Sequence, residues 1–370
     1  MTMVTSKNHF PRYEHLDSVR GIAAMLVAFY HSLRPFAEIP RDTGFISVLN
    51  GHTAVLFFFV LSGFVLSGSL NSRGDFSAKS LFSYWMRRFF RLYPLVAFAV
   101  LLSAFIAIFY STSQVWAPVA PWVAKMIELS KKLSGLREYL SCLALHVSYL
   151  NAPLWTIKVE LVCSFLLPFL LYLDKLIKWP LFSIPAISVL LFLHYQFGPE
   201  AISSTKYLIY FFLGYVAYKL IPFTSRIPRH ISCIGIVLFF SLILGGNFWN
   251  WQQLAMTLSL FGLFCLMVPC SPVSLKKLLT TKSMLFLGRV SFSFYALHWP
   301  VMLLLLSLMQ VYFAPEFLDN HAFLKGILLF FASVGVALPA SALTEKFIEK
   351  PFNSFGHTLS KRILLDRNSK

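Results

Sequence analysis

The sequence predicts an all-α, polytopic membrane helix bundle with about ten transmembrane helices and both termini cytoplasmic. Three observations carry that expectation. Hydrophobic residues make up 57% of the 370, whereas charged residues are 13%, about half the share of a soluble chain. Apolar stretches close to the ~20 residues that cross a bilayer recur along the whole length. The 32 lysines and arginines, set against 15 acidic residues for a net charge of +17, gather mainly in alternate loops. This composition excludes disorder, a collagen-like repeat and a coiled coil. The five cysteines (Cys142, Cys163, Cys233, Cys265, Cys270) form no C-x-x-C pair, so neither a metal site nor a disulfide framework is expected. In so apolar a chain the positive charge reads as topology, and no nucleic-acid partner is expected.

In chain order the apolar stretches are 16–36, 52–70, 93–112, 154–173, 180–198, 206–221, 231–246, 251–269, 289–312 and 322–344. A shorter run, 136–150, reads as re-entrant or interfacial. The first stretch carries Arg20 and His31 and lacks a cleavage pattern, which argues against a signal peptide. Arg73, Lys79, Arg87, Arg88 and Arg91 crowd the loop 71–92, and Lys276, Lys277 and Lys282 lie in 270–288. On the opposite side 246–250 has no basic residue and 313–321 carries Glu316 and Asp319. The loop 113–153 divides less cleanly, with Lys125, Lys131, Lys132 and Arg137 offset in part by Glu128 and Glu138. Residues 1–350 are expected to form one transmembrane domain and 351–370 a basic cytoplasmic tail.

Ionisable groups inside spans are costly, so each marks a candidate site. Arg20 and His31 lie eleven residues apart in the first stretch, within about 20° of one helix face and roughly 16 Å apart along it. That places Arg20 near the cytoplasmic surface and His31 near the midplane. The plain alternative is a snorkelling arginine and a histidine bonded between helices. Ser62-Gly63 falls mid-span, where small residues either let helices pack closely or line a narrow channel. Arg88 and Arg91 at i,i+3 present a cationic face suited to phosphates or to anionic lipid. Glu160 sits roughly 9 Å into the fourth span and needs a partner: Lys158, a histidine or a substrate hydroxyl. Trp155 nearby is an interfacial anchor or part of a channel wall. Tyr295 and His298 share a face of the ninth span, and Pro300 frees backbone carbonyls there that must be satisfied internally.

Together these residues resemble the acyltransferase-3 family of integral membrane acyltransferases over nearly the whole chain. The marks are Asp17-Ser18-Val19-Arg20-Gly21 with His31, Phe58-Phe59-Val60-Leu61-Ser62-Gly63-Phe64, and Arg88-Phe89-Phe90-Arg91. Leu154-Trp155-Thr156 with Glu160, and Ser291 through Tyr295-Ala296-Leu297-His298-Trp299-Pro300, complete the set. The chain departs from the family pattern at Cys163-Ser164-Phe165, where an aromatic pair ending in tyrosine is common, and at Lys158.

The resemblance implies an acyl-CoA donor, most often acetyl-CoA, with no permanently bound cofactor and no metal. It implies as acceptor a hydroxyl of a carbohydrate or glycolipid, such as a bacterial surface polysaccharide or lipopolysaccharide, at the cell (inner) membrane. His31, Glu160 and His298 are then the catalytic candidates, with His31 as general base. Arg20, Arg88 and Arg91 are the donor-binding candidates, and Ser62, Gly63, Trp155 and Tyr295 line the acceptor side or channel. Some relatives add an extracytoplasmic esterase-like domain after the last span. None is expected here, which leaves room for separate glycan-assembly proteins as partners. The alternative reading is a polytopic transporter or flippase for a glycolipid, with the same ionisable groups relaying protons.

Overall fold

The computed structural model describes residues 13–36, 51–72, 76–112, 128, 136–177, 180–199, 203–224, 226–228, 230–237, 273–312 and 321–365, and among them there are helices and no strand. Helix α1 spans Glu14–Leu33, α2 Gly51–Asn71, α3 Ala78–Thr112, α4 Leu136–Leu143, α5 Trp155–Ile177 and α6 Pro180–Phe197. Helix α7 spans Leu208–Thr224, α8 Val273–Leu279, α9 Lys282–Tyr312, α10 Ala322–Thr344 and α11 Lys350–Leu365. A 3-10 turn, Ala152–Leu154, leads into α5, and a π turn, Glu345–Glu349, joins α10 to α11.

Five stretches are long and apolar enough to cross a membrane: Gly51–Asn71, Ala78–Ala107, Ala152–Ile177, Lys282–Met309 and Ala322–Leu364. Leu101, Phe105, Leu190 and Phe331 are each more than 60% or about 60% exposed, and so broad an apolar exterior suits lipid rather than water. The chain is accordingly a membrane protein. The expected span 251–269 lies outside the described residues, as does 231–246 beyond residue 237.

Helix α1 has 20 residues, about 30 Å, yet it carries Glu14, Asp17 and Arg20 in its first half. Glu14 is exposed at the helix start, whereas α2, α9 and α10 pack around the helix, so Asp17 and Arg20 meet protein groups as well as the exterior. Close approach is built from small residues. A Cβ at Gly288 would lie 2.5 Å from the carbonyl of Asp17, and one at Gly21 2.8 Å from the Gly288 nitrogen, so α1 and α9 cross backbone to backbone. Helices α2 and α7 cross in the same way at Gly63 and Gly214, where a Cβ would meet the carbonyl oxygens of Phe211 and Val60 at 2.0 and 2.1 Å.

Helix α3 departs most from the sequence expectation. It begins at Ala78 rather than near 93 and runs 35 residues, through Pro94. The charges at Arg87, Arg88 and Arg91 look like the end of an apolar span only until their partners are seen. Residues 351–365, expected as a tail, lie within α11 against α3. A Cβ on Gly356 would touch Phe90, and the rings of Phe90 and Phe355 meet edge to face with centroids 5.0 Å apart. At the far end of α5, buried Asp174 accepts hydrogen bonds from Ser183 and Tyr215, each at 2.5 Å, and pairs with Lys219 at 3.3 Å. One carboxylate thus ties α5 to α6 and α7.

Candidate active site

The two candidate histidines, His31 of the first expected span and His298 of the ninth, are in contact. Nδ1 of His31 on α1 lies 2.9 Å from Nε2 of His298 on α9, with the ring planes inclined by 2°. Nδ1 of His298 lies 2.7 Å from the carbonyl oxygen of Tyr295. A carbonyl only accepts, so Nδ1 of His298 carries a proton. In the neutral ring its Nε2 is then an acceptor, and the proton between the two histidines belongs to Nδ1 of His31. That leaves the lone pair of His31 on Nε2. His298 is buried, whereas His31 is half-buried, so His31 is the ring nearer the exterior of the pair. Trp299 meets the His31 ring edge to face at 5.3 Å, and Phe294 and Tyr295 flank His298.

The backbone under this pair is held by Asn151, which the sequence did not single out, and by Thr156 and Tyr295. Pro300 has no N–H to give the carbonyl of Ala296 four residues earlier. Asn151, 1% exposed, fills that role, with Nδ2 donating to Ala296 O at 2.9 Å. Thr156 Oγ1 and the Tyr295 hydroxyl lie 3.0 Å apart, and Thr156 also reaches the carbonyl of Pro153 at 2.9 Å. Tyr295 is therefore anchored to the 3-10 turn before α5, and its own carbonyl sets His298.

Toward the other end of α9 lies a layer of matched charges. Arg88 on α3 is ion-paired to Glu160 on α5, with side chains 11% and 18% exposed. Ser62 donates to the same carboxylate at 3.1 Å. Arg20 pairs with Asp17 at 3.0 Å and donates from Nε to Ser291 at 3.0 Å. Arg91 lies within Coulombic reach of Glu349 in the π turn, with Arg20, Arg88 and Glu160 around it, and Glu349 accepts from Ser293 at 3.1 Å. Three guanidiniums thus face three carboxylates. Arg88 is the eleventh residue of its helix, roughly 15 Å from its start, so the pair lies well inside the bundle rather than at its edge.

The expected residues therefore fall into two groups along α9: His31, His298 and Tyr295 together, and Arg20, Arg88, Arg91, Glu160 and Ser62 together. Glu160 has found Arg88 and Ser62 rather than Lys158 or a histidine. Gly63 sits in the α2–α7 crossing. Trp155 is packed among His52, Phe59 and Tyr207, with ring centroids 6.4, 6.4 and 5.5 Å away. The departures at 163–165 are packing positions: Cys163 is fully buried, Ser164 offers its carbonyl to Tyr84 at 2.9 Å, and Phe165 stacks on Trp85 at 4.2 Å. Among the described residues no group of three His, Cys, Asp or Glu side chains is placed to hold a metal.

These features define a helical membrane protein that encloses an imidazole pair among its spans. Residues 13–345 match Acyl_transf_3, an acyltransferase domain, and the chain belongs to that family. The O-acetyltransferase OatA of Staphylococcus aureus strain NCTC 8325 is 24% identical over 379 residues, and OatA of strains COL and MRSA252 match to the same extent. The alignments cover 95% of this chain but 59% of each relative, so the chain spans about three-fifths of their length. No solved structure matches the chain.

Proposed function

We propose that the chain is a membrane O-acyltransferase that moves an acyl group, acetyl foremost, from acyl-CoA to a hydroxyl of a carbohydrate or glycolipid at the bacterial cell membrane. The observation that carries this reading is the His31–His298–Tyr295 chain of hydrogen bonds, which leaves an acceptor lone pair on one defined atom, Nε2 of His31. A general base needs that lone pair within hydrogen-bond reach of the hydroxyl it activates. In the reaction, the acceptor oxygen bonds to the thioester carbonyl carbon as Nε2 takes the hydroxyl proton. The carbon–sulfur bond then breaks, and the proton passes to the departing CoA thiolate.

His298 acts through His31 by fixing its tautomer and ring plane, and Tyr295, Thr156 and Asn151 hold His298. The arginine layer receives the donor. Because Arg20, Arg88 and Arg91 each face a carboxylate, the layer is close to neutral. The uncharged amides of a pantetheine arm can cross it without displacing a charge. Family membership and the similarity to O-acetyltransferase OatA support acyl transfer to oxygen, and the apolar exterior supports a membrane site.

The test is chemical. The full chain, purified in detergent and given acetyl-CoA labelled in the acetyl group, should release CoA thiol and place label in a hydroxylamine-sensitive ester on membrane glycans from the source cells. Label that stays on acetyl-CoA, with no thiol released, would remove the proposal.

A further inference from the structure

Of the three arginines at 87, 88 and 91, two face carboxylates among the described residues. Among the described residues Arg87 has no acidic partner. Its Nη1 donates to Ser360 Oγ at 2.7 Å, and its Nη2 is buried with no hydrogen-bond partner. Ser360 Oγ also meets Ser83 Oγ, and both serines are buried. One guanidinium and two hydroxyls from α3 and α11 therefore converge at a single point. A buried guanidinium nitrogen left without a hydrogen-bond partner is costly, and a guanidinium supplies five donors in a fork that matches phosphate oxygens. Beside two hydroxyls it is the donor set of a phosphate ester site, and among the described residues no carboxylate is matched to it in the way Glu160 is matched to Arg88.

Its position is consistent with the length of the donor. Arg87 and Arg91 are i,i+4 on α3, so Arg87 lies one turn from the charge layer on the same face. Leu95 and Ala99 pack against Ala296 and Leu297, beside His298, and Arg87 lies eight and twelve residues before them on α3, roughly 12–18 Å along the helix from the level of the histidines. A pantetheine arm with its thioester at His31 carries its phosphates up to about 20 Å away when extended.

We propose that Arg87, together with Ser83 and Ser360, binds a phosphate group at the nucleotide end of the acyl-CoA donor. The proposal rests on the acyl-CoA reading above and adds to it a phosphate site distinct from Arg20, Arg88 and Arg91. It also gives α11 a role, since Ser360 comes from that helix.

The test is binding of CoA and of pantetheine, which lacks the phosphates, to the full chain in detergent, for the wild type, Arg87→Gln and Ser360→Ala. Arg87→Gln should weaken CoA by about tenfold or more, with a several-fold smaller effect on pantetheine, and Ser360→Ala should weaken CoA by a few-fold. CoA affinity within about twofold of wild type in both variants would overturn the site. So would loss of co-purifying lipid phosphorus in Arg87→Gln with CoA affinity kept, because the phosphate would then belong to a phospholipid. A wild-type chain that binds no CoA would remove the donor reading itself along with the site.

Discussion

Nδ1 of His31 donates to Nε2 of His298 across 2.9 Å, and the two rings are inclined by only 2°. Because Nδ1 of His298 is committed to the Tyr295 carbonyl at 2.7 Å, one ring sets the tautomer of the other. His298→Ala removes the acceptor that holds the proton on Nδ1 of His31. It should lower kcat for acyl transfer by about 10²-fold or more and leave the KM for acyl-CoA little changed. Steady-state kinetics on the purified variant separate the two effects. A raised KM at unchanged kcat would assign His298 to binding instead.

Glu160 and Arg88 form a shielded pair, so removing one partner strands the other. Arg88→Ala and Glu160→Ala should each destabilise the bundle by about 3 kcal/mol. The double variant should lose clearly less than the sum. Thermal inactivation temperatures in detergent give the comparison, and strictly additive losses would mean that the pair is not coupled.

Asn151 compensates for Pro300 by donating to the carbonyl that Pro300 leaves without an N–H. Asn151→Ala should destabilise by about 1–3 kcal/mol, since a buried carbonyl loses its donor. In a Pro300→Ala background, where residue 300 regains its N–H, the same change should cost markedly less. An equal cost in both backgrounds would show that Asn151 acts elsewhere.

Gly63 and Gly214 let α2 and α7 touch. A Cβ at Gly63 would sit 2.0 Å from the carbonyl oxygen of Phe211, and overpacking on backbone costs about 1–3 kcal/mol or more. Gly63→Ala should reduce the folded, monodisperse fraction on size exclusion. Full recovery of folded protein with altered acceptor preference would point back to a channel role.

Much of this arrangement was legible in the sequence, and the remainder failed for one physical reason. Helix α10 runs from Ala322 to Thr344, the same bounds that hydropathy gives. The eleven-residue spacing puts Arg20 and His31 on one helix face, and that face meets α9, Arg20 at Ser291 and His31 at His298. What the chain order hides is the partner of a charge. Arg88 looks like an interfacial arginine because Glu160, its counter-charge, lies 72 residues away. The apolar stretch therefore starts at 93, although the helix begins at Ala78. Glu349 stands at the border of an apparent tail, and the π turn brings it to Ser293 and Arg91. Asn151 had a visible cue in the carbonyl freed by Pro300, but nothing local names the residue that answers it.

The most direct measurement concerns Nε2 of His31. Acetyl transfer from labelled acetyl-CoA should be compared for the wild type and His31→Ala in the same detergent, with CoA affinity measured on both. The variant should lose at least about 10²-fold in turnover while its CoA affinity stays close to wild type. Wild-type turnover in His31→Ala would contradict the assignment of His31 as the base.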